Sequence, residues 1–175
     1  SELDEIAAIS YVTCPSCGLG YFYPQTPGGD DFYRQLQADV NYYLHADKSE
    51  FSFAISHISS HDRVLDVGAG RGAFGQIVKC GFYQGIEYSS GAVELARKDG
   101  INVSIESLKN HASNNRGKYD VVVVFQVLEH VATPRDFFCD CLACLRQGGR
   151  LIIAVPDNDG FMGVTTNTHL NLPPH

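Results

Sequence analysis

The spacing of apolar residues changes along this chain, and the change separates two kinds of structure. Residues 30–60 carry apolar side chains at every third or fourth position, which predicts helix, with a second, shorter helix over residues 49–58. Beyond residue 60, short apolar runs alternate with amphipathic stretches. This alternation is typical of strands separated by helices.

The second part of the chain is expected to form a parallel sheet. Its apolar runs predict five strands that end near residues 67, 87, 105, 125 and 155. The run at residues 120–125 is almost continuously β-branched, as in a strand buried on both faces in the middle of a sheet. Helices are predicted over residues 91–99 and 134–146, the latter opening with Pro134, and residues 110–117 are predicted to be polar loop. Such alternation implies right-handed βαβ units with a ligand crevice at the carboxyl ends of the strands.

The turn after the first of these strands carries the clearest chemical signal. Residues 64–74 (VLDVGAGRGAF) combine a buried strand, an acid, three glycines at alternate positions and the start of a helix. The glycines let the backbone approach a ligand closely, and a helix N-terminus presents unpaired N–H groups to an anionic one. Residues 68–73 also satisfy the dinucleotide pattern G-x-G-x-x-G/A, and Glu87 lies about 20 residues on, where a ribose-binding acid is expected. The turn therefore predicts a nucleotide site but not which nucleotide.

Asp66 separates the two kinds of nucleotide ligand. A carboxylate aimed into the crevice two residues before Gly68 repels a pyrophosphate but helps to hold the ammonium group of an amino acid. A ligand that joins adenosine to a zwitterionic amino acid satisfies both halves of the site, and S-adenosylmethionine is that ligand. Two alternatives stay open on the residues alone: an NAD-dependent oxidoreductase, and a non-catalytic module that keeps the cofactor site.

Four motifs, in order, resemble those of class I S-adenosylmethionine-dependent methyltransferases. They are the glycine turn at residues 64–72, an acid motif at 85–89, a fourth-strand motif at 119–131 and a Gly-Gly turn at 145–151 before the fifth strand. The resemblance covers about residues 62–157. It implies an α/β, Rossmann-like fold with a parallel sheet of strand order 3-2-1-4-5, and methyl transfer from S-adenosylmethionine as the activity.

The resemblance also implies a set of cofactor-binding residues. The set is Asp66, Gly68, Ala69, Gly70, Phe74, Glu87, Tyr88, Glu106, Ser107, Gln126 and Val127. By this resemblance Asp66 faces the methionine end, Glu87 accepts hydrogen bonds from both ribose hydroxyls, and Tyr88 lies against the adenine. Glu106 is expected at the adenine amino group, with Ser107 beside it, and Gln126 near the reactive sulfonium.

Methyl transfer to a hydroxyl or a carbon acid also needs a base, which the spacing of the motifs does not assign. The catalytic candidates are His130, in the turn after the fourth strand, and His169, in the tail. His175 and Glu129 are further candidates. Residues 169–175 resemble a family segment that follows the fifth strand and approaches the acceptor site.

Charge and composition narrow the partners. The 175-residue chain has a net charge of −7 and scattered lysines and arginines, which argues against nucleic acid or an anionic membrane as a partner and favours a small-molecule acceptor. No apolar run approaches the roughly 18 residues of a membrane span. The first five residues are acidic, unlike the basic start of a signal peptide, so a cytoplasmic location is expected.

The six cysteines fall into groups with different expected roles. Cys14 and Cys17 form a Cys-x-x-Cys knuckle, which supplies two of the four ligands of a structural zinc site; zinc is therefore expected only if further ligands complete it. A knuckle before a methyltransferase core also resembles enzymes that methylate sugars or other metabolites. Cys139, Cys141 and Cys144 are expected to be small buried thiols of the last helix.

These expectations divide the chain into three parts. Residues 1–60 form an N-terminal segment with the knuckle and helices, residues 61–157 the S-adenosylmethionine-binding domain, and residues 158–175 a truncated tail near the acceptor site. A full class I sheet has seven strands, so the chain is expected to be a fragment that lacks strands six and seven. Its fifth strand is then an exposed edge, through which a homo-oligomer is expected to form.

Overall fold

The computed structural model describes residues 10–24 and 48–157. In the first range, β1 (Ser10–Thr13) and β2 (Gly20–Tyr23) pair antiparallel, with Ser10 opposite Tyr23. The cysteine knuckle is the turn between them, closed by a 2.9 Å hydrogen bond from Gly18 N to the carbonyl of Cys14. Most of the helix predicted over residues 30–60 lies outside the described residues. Its last part contains α1 (Ser49–Ile55), which confirms the shorter helix with a slightly earlier end.

The second range forms a five-stranded sheet in which every pairing is parallel. Its strands are β3 (Arg63–Val67), β4 (Phe82–Glu87), β5 (Val103–Ile105), β6 (Tyr119–Phe125) and β7 (Leu145–Ala154). The helices between them are α2 (Ala73–Ile77), α3 (Ser90–Lys98), α4 (Leu108–Asn114) and α5 (Pro134–Cys144). The spatial order β5-β4-β3-β6-β7 is the expected order 3-2-1-4-5 when the strands of this sheet are counted from β3.

Two apolar clusters cover the two faces of the sheet. Alternate residues of β3 divide between them: Leu65 packs with α4 and α5, whereas Val64 packs with α1 and α2. Residues 121–124 of β6 are all fully buried, which confirms a strand covered on both faces. Of the three cysteines of the last helix, Cys141 and Cys144 are buried as expected, but Cys139 is exposed.

The predicted loop at residues 110–117 is wrong for residues 110–114, which belong to α4, and is confirmed for residues 115–117. Ser107 caps this helix: its Oγ accepts a 3.2 Å hydrogen bond from the backbone N–H of Asn110. The buried face of the helix is Leu108, His111 and Ala112. This face follows helical spacing, but its central residue is a histidine. The pattern of polar and apolar residues therefore did not indicate a helix here.

Gly148 and Gly149 differ from their predicted place in a turn between the last helix and the fifth strand. Helix α5 ends at Cys144, and the strand begins at once with Leu145. The pair instead lies in an irregular part of β7, where the register shifts so that Tyr119 faces Leu145 but Val121 faces Arg150. The extra residues form a bulge at the start of the strand.

β7 is the edge of this sheet within the described residues. The expectation that strands six and seven are missing concerns residues 158–175, which lie outside the described residues. The division of the chain at residues 61 and 157 stays a prediction.

Candidate functional site

The glycine turn folds back over the end of the neighbouring strand. The backbone N–H groups of Gly68 and Ala69 both donate to the carbonyl of Ile86, at 2.9 and 3.1 Å. Gly68, Gly70 and Gly72 have φ angles of 74°, 55° and 77°, a backbone conformation that residues with a Cβ rarely adopt. The alternate glycines are thus required by the shape of the turn.

Gly68 also brings the turn into contact with the end of β6. A Cβ built on Gly68 would lie 2.4 Å from Cγ2 of Val127, closer than two non-bonded carbon atoms can approach. The first glycine of the turn and the predicted cofactor residue Val127 are therefore direct neighbours. Two predicted parts of the site, from β3 and β6, meet here.

The Glu87 carboxylate lies at the carboxyl end of β4 and holds the turn. Its Oε2 accepts a 2.9 Å hydrogen bond from Gly70 N. Its Oε1 accepts hydrogen bonds from Tyr88 N at 2.7 Å and Ser89 N at 2.9 Å. A carboxylate oxygen can accept two hydrogen bonds, so Oε2 retains room for one more donor, whereas Oε1 already has two.

Asp66 lies beneath the turn and is almost completely buried, with 3% of its surface exposed. Its Oδ2 accepts a 2.7 Å hydrogen bond from the hydroxyl of Tyr83. Burial raises the pKa of Asp66 to about 7; the hydrogen bond from Tyr83 opposes the shift, and the negative charge of Glu87 adds to it. The Asp66 carboxyl therefore changes its charge near pH 7. Tyr83 was not predicted as a site residue. Its only indication in the sequence is a hydroxyl group on a side chain of the strand beside Asp66.

The end of β6 carries the strained residue of the site. Gln126 has a φ of 56°, the left-handed region, and its N–H donates to the carbonyl of Ala154 at 2.9 Å. Non-glycine residues in this conformation cluster at functional sites, where the surrounding structure stabilises them. A 3₁₀ turn, Leu128–His130, follows directly.

That turn buries the carboxylate of Glu129. Its side chain is 13% exposed, and Oε1 lies 3.9 Å from Nε2 of His130. Within the described residues the buried Oε2 has no hydrogen-bond partner. Burial raises the pKa of Glu129 to about 7. Glu129, ranked behind the histidines by sequence, therefore lies beside His130, while His169 and His175 lie outside the described residues.

Glu106 follows β5 at the same edge of the sheet. Its backbone N–H donates to the carbonyl of Glu87 at 3.3 Å, and its Oε2 lies 2.8 Å from Nδ1 of His111. Ser107 next to it caps α4. His111 was not predicted as a site residue, because a histidine five residues after an acid carries no signal until α4 is known.

Two further predicted residues lie in contrasting surroundings. Tyr88 is 71% exposed and directly follows Glu87. Phe74 is buried in the core, with its ring centroid 5.3 Å from that of Phe51 and 5.0 Å from that of Phe125. Their contacts with a cofactor stay predictions.

The cysteine knuckle shows a partly exposed Cys14 and an exposed Cys17. Hydrogen bonds with the backbone of Ser16 and Cys17 lower the pKa of the Cys14 thiol. Across residues 10–24 and 48–157, no group of three or more His, Cys, Asp or Glu side chains could hold a metal ion. In the same ranges, no helix has the length and apolar character needed to cross a membrane.

A parallel sheet of this order, with a glycine turn after its first strand and an acid at the end of its second, defines the class I S-adenosylmethionine-dependent methyltransferase fold. Comparison with known proteins identifies the family. Residues 33–172 match the family model described as a methyltransferase domain, and the chain belongs to this family.

Curated relatives and solved structures agree with this assignment. The ubiquinone biosynthesis O-methyltransferase of Vibrio parahaemolyticus is 30% identical over 100 residues, covering 53% of this chain and 43% of the relative. That of Escherichia coli O9:H4 is 30% identical over 119 residues, covering 62% and 50%. The chain thus spans about half the length of the curated relatives it matches.

Two solved structures show the same fold. One is a SAM-dependent methyltransferase from Thermotoga maritima, described as a possible histamine N-methyltransferase; it has a TM-score of 0.61 and 24% identity, with 76% of this chain and 64% of that chain covered. The other is a plantazolicin methyltransferase in complex with a pentazolic desmethylPZN analogue and SAH; it has a TM-score of 0.61 and 19% identity, with 80% of this chain and 60% of that chain covered.

Proposed function

We propose that this chain binds S-adenosylmethionine and transfers its methyl group to an oxygen or carbon atom of a small-molecule acceptor, such as a sugar or another metabolite. The observation that carries the proposal is the Glu87 carboxylate, which the amide of Gly70 holds against the glycine turn. The relatives named as O-methyltransferases favour an oxygen acceptor.

The acidic residues at this edge of the sheet fit the cofactor. Asp66 is the next-to-last residue of β3, Glu87 is the last residue of β4, and Glu106 directly follows β5, so the three acids lie at the carboxyl ends of neighbouring strands. S-adenosylmethionine offers hydrogen-bond donors to all three: an ammonium group, two ribose hydroxyls and the adenine amino group. A pyrophosphate would instead bring negative charge to an edge that already carries three carboxyl groups, so a dinucleotide fits less well.

The Glu87 carboxylate can accept few further hydrogen bonds from a ribose, because backbone N–H groups already occupy most of its acceptor positions. Oε2 has room for one ribose hydroxyl, whereas a second hydroxyl on Oε1 would have to displace Tyr88 N or Ser89 N. We therefore propose that Glu87 keeps the Gly70 contact and accepts one hydroxyl without rearrangement. The same carboxylate would both shape the turn and bind the sugar.

S-adenosylmethionine supplies a methyl group already activated by a positively charged sulfur. The residues of the chain then have to bind the cofactor, align the acceptor and take its proton. We propose His130, with Glu129 beside it, as the place where that proton goes, because both side chains are largely buried in one turn after β6. A contribution from His169 stays a prediction.

Other expectations also stay predictions. They are zinc on Cys14 and Cys17 with ligands from elsewhere, a homo-oligomer through the sheet edge, and a cytoplasmic location. The small-molecule acceptor is favoured by the net charge of −7, which argues against a nucleic-acid substrate.

Calorimetric titration with S-adenosylhomocysteine, the demethylated product, tests the cofactor. We expect the wild-type chain to bind it and not NADH. Glu87→Gln should weaken binding about tenfold or more, since a charged hydrogen bond is lost. Glu94→Gln is the matched control, because Glu94 is exposed on α3 and pairs with Lys98. Binding of NADH without S-adenosylhomocysteine would overturn the proposal in favour of an oxidoreductase.

Incubation with methyl-labelled S-adenosylmethionine and a metabolite extract tests the transfer. A labelled small molecule, identified by mass spectrometry, is the expected product. Cofactor binding without any labelled product would indicate the non-catalytic alternative.

A further inference from the structure

Three side chains form a hydrogen-bonded chain that leads from the sheet edge into the core. The Glu106 Oε2 lies 2.8 Å from Nδ1 of His111, and Nε2 of His111 lies 2.8 Å from the hydroxyl of Tyr119. His111 and Tyr119 are buried, with 5% and 3% of their surfaces exposed. Only the Glu106 side chain, 29% exposed, reaches solvent. A ligand can therefore reach this hydrogen-bonded series only at Glu106.

We propose that His111, itself held by Tyr119, is a positioning residue that orients the Glu106 carboxylate so that the site selects a 6-aminopurine over a 6-oxopurine. This inference rests on the proposed function, since it concerns how the same site recognises the adenine of its cofactor.

Glu106, the solvent-accessible member of this hydrogen-bonded series, lies beside Glu87, the proposed ribose-binding residue. Ile105 pairs with Glu87 in the β4–β5 register, and the next residue, Glu106, donates its N–H to the carbonyl of Glu87. Adenine and ribose are adjacent groups of one ligand, so a carboxylate next to Glu87 is suitably placed for the base. Within the described residues Oε2 is engaged by His111, which leaves Oε1 for the ligand.

The buried Tyr119 hydroxyl explains why the His111 ring has one orientation. In the neutral Nδ1–H tautomer, Nδ1 donates to Glu106 and Nε2 accepts from the Tyr119 hydroxyl, so both ring nitrogens are satisfied. Burial raises the pKa of Tyr119 to about 12, so this hydroxyl stays protonated and can donate. Because α4 carries His111 and β6 carries Tyr119, the orientation of the ring is set by two different elements.

The fixed carboxylate has a consequence for specificity. An acceptor-only group pairs with the amino group of adenine but faces a carbonyl oxygen in hypoxanthine, which it repels. A glutamate on a flexible stem would turn away from the carbonyl and lose this discrimination. The hydrogen bond from His111 removes that freedom, so selectivity should depend on a residue that does not touch the base.

Calorimetric titration with two ligands tests the proposal: S-adenosylhomocysteine and S-inosylhomocysteine, whose base carries a carbonyl instead of the amino group. The readout is the ratio of their dissociation constants. We expect the wild type to prefer the adenosine compound about tenfold or more. Glu106→Gln should bring the ratio close to one, because an amide can rotate to accept from or donate to either base.

The positioning role predicts how the remaining variants behave. His111→Leu should lower the ratio about fivefold or more, and Tyr119→Phe should lower it in the same direction by less, since histidine then loses one of its two contacts. When Glu106→Gln is already present, His111→Leu should change the ratio less than about twofold, because the two residues act as one unit. His57→Leu is the matched control, since His57 is exposed at the end of α1.

The outcomes separate this inference from the proposed function. A wild type that fails to bind S-adenosylhomocysteine overturns both. A wild type that binds it, with a ratio unchanged in His111→Leu and Tyr119→Phe, overturns the positioning role alone. A purely structural role for His111 would lower the unfolding temperature and both affinities equally, leaving the ratio unchanged. Tyr119→Phe keeps the aromatic ring in the core, so it decides the question if His111→Leu does not fold.

Discussion

The hydroxyl of Tyr83 donates a 2.7 Å hydrogen bond to Oδ2 of Asp66 across two neighbouring strands. Gly85 is the residue directly opposite Asp66, and Tyr83 lies two positions before it on β4. A Cβ on Gly85 would lie 3.2 Å from the Tyr83 hydroxyl and 2.8 Å from Cβ of Ala69. The missing side chain at Gly85 therefore makes room for a tyrosine to support the acid beneath the glycine turn.

Asp66→Asn should make stability less dependent on pH. Because the folded-state pKa of Asp66 is raised from 3.8 to about 7, its contribution to stability is complete below about pH 4 and is lost as pH rises through 7. An asparagine can still accept the Tyr83 hydrogen bond and cannot ionise. We expect the variant to gain roughly 2 to 4 kcal/mol over wild type at pH 8 and little at pH 4. Urea unfolding at both pH values measures the difference.

The same variant should bind S-adenosylhomocysteine more weakly at pH 8, since an amide attracts an ammonium group less than a carboxylate does. Asp99→Asn, at the exposed end of α3, is the control for removing one charge. An equal change in stability at pH 4 and pH 8 would contradict the assigned cause.

Gly68→Ala should destabilise the chain more than Gly148→Ala does. Both glycines have a φ of 74°, so an alanine at either position costs about 1 to 2 kcal/mol of backbone strain. Around Gly148 a new Cβ meets nothing within 4 Å, whereas at Gly68 it overlaps Cγ2 of Val127. We expect an additional cost of about 1 to 3 kcal/mol at Gly68 and loss of cofactor binding there alone. Denaturant unfolding and calorimetry measure the two effects.

Val127→Ala removes the overlapping methyl group and provides the second comparison. Combined with Gly68→Ala, it should restore part of the lost stability, so that the two changes are not additive. Strict additivity, or equal costs at the two glycines, would show that overlap with Val127 is not what limits position 68.

The sheet could be predicted from the sequence because its signals are local. The β-branched run that includes residues 121–124 and the acid–glycine turn after Val67 each predict an element without knowledge of its neighbours. The strand order was implied by the resemblance to class I methyltransferases, and the sheet has that order. Helix α4 was missed because His111, its central buried residue, is polar, and the partners that satisfy it, Glu106 and Tyr119, are known only from the structure. A polarity pattern cannot contain that information.

The candidate site was predictable to the same extent. Asp66 and Glu87 lie in the last two positions of their strands and Gln126 directly follows its strand, so the parallel topology alone places the three residues at one edge. The partners of these residues could not be predicted: the contact of Tyr83 with Asp66 depends on register across the β3–β4 pair, and the burial of Glu129 depends on how the turn after β6 packs.

The left-handed backbone at Gln126 should set an order of stability among substitutions. Gln126→Gly removes the steric strain of a Cβ at a φ of 56° but adds flexibility to the unfolded chain, so we expect a gain of up to about 1 kcal/mol. Gln126→Val should lose more than about 1 kcal/mol, because a β-branched side chain is least compatible with this region. Unfolding free energies measured in urea give the order, and a valine variant as stable as wild type would show that the turn relaxes without strain.

Glu129→Gln should remove a pH dependence from methyl transfer. The Glu129 carboxyl has a pKa raised to about 7 by burial, so at pH 5.5 it is mostly protonated and neither accepts a proton nor stabilises a protonated His130. We expect the wild-type rate with the acceptor found by labelling to rise between pH 5.5 and 8, and the variant to show a low rate that changes little over that range. Binding of S-adenosylhomocysteine should be unaffected.

Carbon-13 NMR of labelled glutamate carboxyls provides an independent measurement: one resonance should titrate near pH 7 in wild type and be absent from the variant. A wild-type rate profile retained by Glu129→Gln would show that Glu129 is not the group whose ionisation controls the rate, and His130→Ala and His169→Ala would then be the variants to compare.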